Sequence, residues 1–150
     1  MLARLLYIPV MLIGGLHFCP IGTVLGTIVF FALAGIAEGK LAEVLRIFAS
    51  DGVIMIFCFG AIYGGPLTFA TGMVAGPLRL HIGSQLLFAA IMAPIGAVTT
   101  AIYLLIPGPF IGIMPPGGLA ILTGAVTAFC CALPYGFLAG ARAAPSSSCG

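Results

Sequence analysis

The sequence predicts an all-α integral membrane protein, a bundle of four transmembrane helices, and three observations predict it. Hydrophobic residues fill 62% of the 150 positions and charged residues only 5%. Mean hydropathy is +1.31. The few charges sit between long apolar runs rather than among them. A water-soluble domain of this size would carry charges at about a quarter of its positions, so lipid is the solvent that this composition suits.

The first apolar run lies between Arg4 and Glu38 and would measure about 50 Å as a helix, against about 30 Å of hydrocarbon. Pro9 and Pro20 offer breaks within it. The expected first span is therefore residues 10–37, with residues 2–8 at the interface. A basic residue before an apolar stretch also begins secretory signals, but this stretch is too long for one. Leu16, His17 and Phe18 before Cys19 do not suit a lipoprotein cleavage site either, so the run reads as a retained helix. Residues 53–78, between Asp51 and Arg79, form the second span. The third, residues 83–106, starts near His81 and Gln85, and the fourth, residues 118–141, stops at Arg142. Residues 1–142 then make one transmembrane domain, and 143–150, ending AAPSSSCG, a flexible tail without a prenylation signal.

The loops differ in chemistry. In EGKLAEVLRIFASD, Leu41, Val44, Leu45 and Phe48 recur at helical spacing, with Lys40, Glu43 and Arg46 off that stripe. A short amphipathic helix is expected there, either docking a partner or the membrane surface, or simply carrying the chain between spans. GPLRLHIGSQ reads as a tight turn between antiparallel neighbours. The prolines and glycines of PGPFIGIMPPGG forbid a regular helix, leaving an interfacial or re-entrant segment.

Arg4, Arg79 and Arg142 fall on one side and Lys40 and Arg46 on the other, which favours both termini inside an inner or plasma-type membrane.

Two stretches repeat. PIGTVLGTI from Pro20 matches PIGAVTTAI from Pro94, sharing Pro20/Pro94, Ile21/Ile95, Gly22/Gly96, Val24/Val98 and Ile28/Ile102. The second and fourth spans match at nearly the same offset through Gly52/Gly124, Phe57/Phe129, Cys58/Cys130, Tyr63/Tyr135 and Gly64/Gly136. A duplication of this kind would give two helical hairpins in parallel orientation, related by an axis along the membrane normal. Glycines four residues apart recur at Gly22-Gly26, Gly35-Gly39, Gly60-Gly64, Gly72-Gly76, Gly108-Gly112 and Gly136-Gly140, against about three such pairs by chance. They point to close helix packing, within the bundle or between copies.

Inside the expected spans there is no Asp, Glu, Lys or Arg. Proton-coupled carriers rely on such groups, as does acid–base catalysis, so neither a small multidrug-type antiporter nor an enzyme is expected. His17 beside Cys19 would suit a metal or haem, but the other cysteines lie on different spans and supply no convergent ligands. Neither a metal nor a cofactor is expected, and His17 reads as a helix-to-helix hydrogen bonder or interfacial residue. Cys149 stands in the tail, and the five cysteines form no disulfide framework. Scattered Lys and Arg make no nucleic-acid surface, and no phosphate-binding glycine loop is present.

Eight threonines spread over all four spans. They could line a path for a neutral solute, although helical Thr commonly satisfies its hydroxyl on its own backbone. Thr99, Thr100, Tyr103, Tyr63, Tyr135 and His17 are the candidates for a solute path or helix contact. The leading functional expectation is a small membrane subunit or assembly protein packing on a larger partner. The alternative is a channel or facilitator for a small neutral or weakly polar solute, as a homo-oligomer. A facilitator should turn its Thr and Tyr side chains to a common lumen; a subunit should leave them scattered and satisfied.

Overall fold

A computed structural model describes residues 2–50, 52–105 and 117–140. All regular structure in them is helical: α1 (Leu2–Ala37), α2 (Leu41–Phe48), α3 (Gly52–His81), α4 (Gln85–Leu105) and α5 (Gly117–Gly140). Four of these, all but α2, are long and apolar enough to cross a membrane.

Contrary to the expected break, α1 runs unbroken through Pro9 and Pro20, and α3, α4 and α5 likewise carry internal prolines. Proline removes one backbone donor and crowds the preceding turn, but in an apolar medium the rest of the helix has no water to turn to, so continuing the ladder costs less than breaking it. Pro20 and Pro94 both lie on outward-facing surfaces, as do Pro66 and Pro134.

The α1 helix ends in a Schellman motif. Gly39 takes a left-handed φ of 69°, the Lys40 N–H donates to the Gly35 carbonyl at 2.7 Å and the Gly39 N–H to that of Ile36 at 3.2 Å. The chain then folds back into α2, the expected amphipathic helix. Gly35 lets α2 dock, since a Cβ there would stand 2.9 Å from a Val44 methyl. Phe48 bridges Phe31 and Phe57 at ring separations of 6.1 and 6.4 Å. Leu45 and Ile47 remain exposed.

The α3–α4 turn is tight, as expected. Arg79, in the last turn of α3, donates to the carbonyls of Ile82 and Gly83 and lies over the Phe88 ring, 5.6 Å from its centre. Ser84 opens α4, with the Phe88 N–H on its carbonyl at 3.0 Å. The proline- and glycine-rich loop expected to be interfacial or re-entrant lies outside the described residues except at its end, Gly117 and Gly118, which opens α5.

Packing makes two antiparallel hairpins, α1 with α3 and α4 with α5. The first helix also packs on α5, whereas α3 touches α4 and α5 sparingly. In the first hairpin the backbones nearly meet: a Cβ on Gly72 would stand 2.5 Å from the Gly14 carbonyl oxygen, and one on Gly76 would strike the Val10 carbonyl. The Gly72-Gly76 pair thus serves packing within the chain. The two hairpins differ in register. Gly22 faces Thr68, while Gly96, its counterpart in the repeat, faces Gly124 and Ala128, whose counterparts would be Gly52 and Ile56. The two sequence matches therefore do not superpose as one duplicated hairpin.

The core sits toward the α3–α4 turn. Phe18, Phe88, Met92 and Cys131 are fully buried there, fitted against Ala75, Ala89, Ala128 and Ala132, with Tyr135 among them. Outward-facing residues such as Leu16, Ile54, Ile62, Leu86, Val98 and Ile102 are exposed and apolar.

Candidate functional site

At the opposite end the two hairpins stand apart and enclose a half-open cavity of about 500 Å³. Its walls come from all four long helices. The α1 wall is built of Gly22, Thr23, Gly26, Thr27, Phe30 and Phe31, and the α3 wall of Gly60, Tyr63, Gly64, Leu67, Thr68 and Thr71. On the other side stand Gly96, Thr100, Tyr103 and Leu104 of α4, with Thr123, Gly124, Thr127 and Ala128 of α5. Phe18 and Cys131 belong to both the cavity wall and the buried core, and so form its floor.

Helical periodicity explains how these residues share one space. Gly96, Thr100, Tyr103 and Leu104 are separated by three or four positions and form one stripe on α4, and Gly60, Gly64, Leu67, Thr68 and Thr71 do the same on α3. Within each hairpin a threonine fits against a glycine: Thr27 of α1 against Gly60 of α3, and Thr100 of α4 against Gly124 of α5, both too close to admit a Cβ. Small residues thus close each hairpin on itself. Facing the other hairpin they leave a gap, and a Cβ on Gly64 would meet nothing within 4 Å.

Seven of the eight threonines line this cavity, all but Thr99. Most of their hydroxyls are already bonded to their own helices. Thr23 donates to the Cys19 carbonyl at 2.6 Å, Thr27 to Thr23 at 2.7 Å and Thr71 to Leu67 at 2.9 Å. Thr100 donates to Gly96 at 2.8 Å and Thr123 to Leu119 at 2.9 Å. Thr68 donates to Gly64 at 2.9 Å, with the Cys19 carbonyl of α1 a further 3.4 Å neighbour. What faces the cavity is therefore mostly methyl, ring and glycine surface, the ordinary outcome for helical Thr. Thr127 differs: its hydroxyl oxygen is buried and has no partner. Glu38, just past the end of α1, is the one charged residue among the described residues that line the space; it is exposed and paired with Lys40 at 3.2 Å.

Of the sequence candidates, Thr100, Tyr103 and Tyr63 meet in the cavity. Thr99 does not; one position from Thr100 it turns about 100° away, and its hydroxyl donates to the Ile95 carbonyl at 2.7 Å. Tyr135 and His17 pack together in the closed end, ring centres 5.1 Å apart, with Phe18 and Phe88 also beside Tyr135. His17 makes a helix-to-helix ring contact there rather than the expected hydrogen bond, its Nε2 being buried without a partner. Cys131 lies beneath Gly22, whose Cβ would stand 3.5 Å from the sulfur, close in depth to Cys19 one turn earlier on α1.

Sequence reasoning read Gly60 and Gly64 as a helix-packing pair rather than as cavity wall, and passed over Phe30 and Phe31. The usable signal for the first two was the glycine stripe continuing into Thr68 and Thr71. No family model, curated protein or solved structure matches the chain.

Proposed function

We propose that the chain is a multi-pass protein of an inner or plasma-type membrane whose central cavity receives a small neutral or weakly polar solute, as a channel or facilitator. The observation that carries this reading is the convergence of seven threonines with Tyr63 and Tyr103 on one space bounded by all four helices. Scattered hydroxyls would have favoured a packing role instead. Among the described residues that line the cavity none but Glu38 is charged, which favours neutral cargo, since an ion entering an apolar cavity loses hydration. With both termini inside, the Glu38 end of the cavity faces outward.

A second reading has its own support. The hydroxyls bonded to their own helices, together with the exposed Leu45 and Ile47 of α2, suit a subunit that packs on a larger membrane partner.

Two experiments separate these. Purified protein in liposomes, assayed for efflux of a radiolabelled panel of neutral solutes, should show flux above empty liposomes. Gly64→Leu should lower that flux by about tenfold or more, since crowding a filled site costs about 1–3 kcal/mol. No flux for any solute, together with a stoichiometric unrelated chain co-purifying from the native membrane in mild detergent, would overturn the facilitator reading and establish the subunit one.

A further inference from the structure

The cavity's hydrogen-bonding capacity is unevenly distributed, and that unevenness describes what fits it. The hydroxyls of Thr23, Thr27, Thr68, Thr71, Thr100 and Thr123 each donate to a carbonyl of their own helix. A polyol or an ion would have to strip these bonds or surrender its own hydration. Thr127 is the exception. Its side chain lines the cavity, the residue is only 4% exposed, and its oxygen has neither donor nor acceptor to meet. Opposite it stands Gly26, another wall residue, whose Cβ, if it had one, would come 3.4 Å from that oxygen. The glycine itself sets no side chain against the oxygen, which its surroundings nonetheless bury. Threonine in a helix divides between two χ1 rotamers, so a single-bond rotation is enough to present the hydroxyl to an occupant.

We infer that the occupant is an uncharged, largely apolar molecule carrying one hydrogen-bonding group of alcohol, phenol or carbonyl type, and that the Thr127 hydroxyl anchors that group. The inference rests on the cavity reading above and narrows it. The apolar body packs on the methyl and ring surface of Phe30, Phe31, Leu67 and Leu104, which line the same space, and the single polar group takes up the hydrogen bond that the buried Thr127 oxygen leaves unmade. Burying an unpaired hydroxyl is costly, so a ligand that satisfies it is favoured over a hydrocarbon of the same shape.

The test is photolabelling of the full-length protein in lipid nanodiscs with a diazirine analogue of 1-octanol, mapping adducts by mass spectrometry and competing with 1-octanol or n-octane. Adducts should fall on cavity residues. Thr127→Val, which keeps the shape and removes the hydroxyl, should raise the 1-octanol concentration needed for half-competition about fivefold, the worth of one net hydrogen bond. Thr127→Ser should compete as wild type, and n-octane should act equally on all three proteins. Gly64→Leu should abolish labelling of the cavity. Equal 1-octanol competition in wild type and Thr127→Val, with Gly64→Leu still blocking the label, would overturn the anchor while leaving the cavity reading in place. Cavity adducts sensitive to Thr127→Val in a protein that shows no solute flux would uphold the anchor and defeat the facilitator reading.

Discussion

The two ends of the bundle are made from the same kinds of helix and yet pack in different ways. Toward the α3–α4 turn, large side chains meet small ones across the hairpins: Phe18, Phe88, Met92 and Tyr135 fit against Ala75, Ala89, Ala128 and Ala132, all of them buried. Toward the α2 end, small meets small. Gly22, Gly26, Gly60, Gly64 and Gly124 alternate with threonines, the hairpins close internally through Thr27 on Gly60 and Thr100 on Gly124, and between them the cavity remains. In an apolar medium helices gain little from hiding apolar surface, so cohesion comes from dispersion and close fit. One end has size complementarity all across the hairpins, and the other has it within them and, between them, only along α1 and α5, where Gly26 meets Thr127. Cohesion and open space are thereby separated along the bundle axis.

Substitutions that move one end toward the character of the other test this difference. The largest effect is expected from Gly14→Leu, placed where α1 and α3 cross backbone to backbone, with the Gly76 nitrogen 3.0 Å from where a Cβ would stand and the Gly72 carbonyl nearer still. Backbone atoms cannot rotate away as a side chain can, so the hairpin should separate. Size-exclusion chromatography in mild detergent should show loss of the monodisperse folded species; a normal profile would mean that this crossing does not hold the bundle.

Next comes Phe88→Ala in the filled end. Removing a fully buried ring should cost about 3 kcal/mol of unfolding free energy in mixed SDS micelles. Leu67→Ala in the cavity wall should cost under about 1 kcal/mol, because its neighbourhood is already open. Equal costs would show that the two ends do not differ in packing.

The smallest effect belongs to Thr99→Val. Thr99 lies outside the cavity and its hydroxyl is bonded within its own helix, so flux and stability should both stay within error of wild type. A flux defect in Thr99→Val as large as that in Thr100→Val would place the solute path on the wrong face of α4.

The threonines, Tyr63 and Tyr103 were legible as candidates because polar residues are rare in such a chain. Thr99 could not be told from Thr100, since adjacent helical positions face about 100° apart and only the neighbouring helix decides which one points inward. Tyr135 was paired with Tyr63 through the repeat, but the hairpins differ in register, so matching positions came to rest at opposite ends: Tyr63 in the open cavity and Tyr135 in the filled core. His17 was misleading for a related reason. Its neighbour Cys19 drew attention to metal chemistry, whereas its partner in space, Tyr135 on α5, is remote in sequence.

What the sequence determined by itself is everything that depends on local composition and period. That covers the four long apolar helices, the amphipathic α2 with its stripe from Leu41 to Phe48, and the tight turn around Arg79. Hydropathy and the 3.6-residue period act within one segment, so one segment suffices to read them. Only the tertiary structure decided that prolines would be carried through α1 rather than break it, which glycines would bring backbones together, and which threonines would share a cavity. Those outcomes depend on the rotation and register of helices against one another. In a chain apolar on every face, no polar side exists to announce either one in advance.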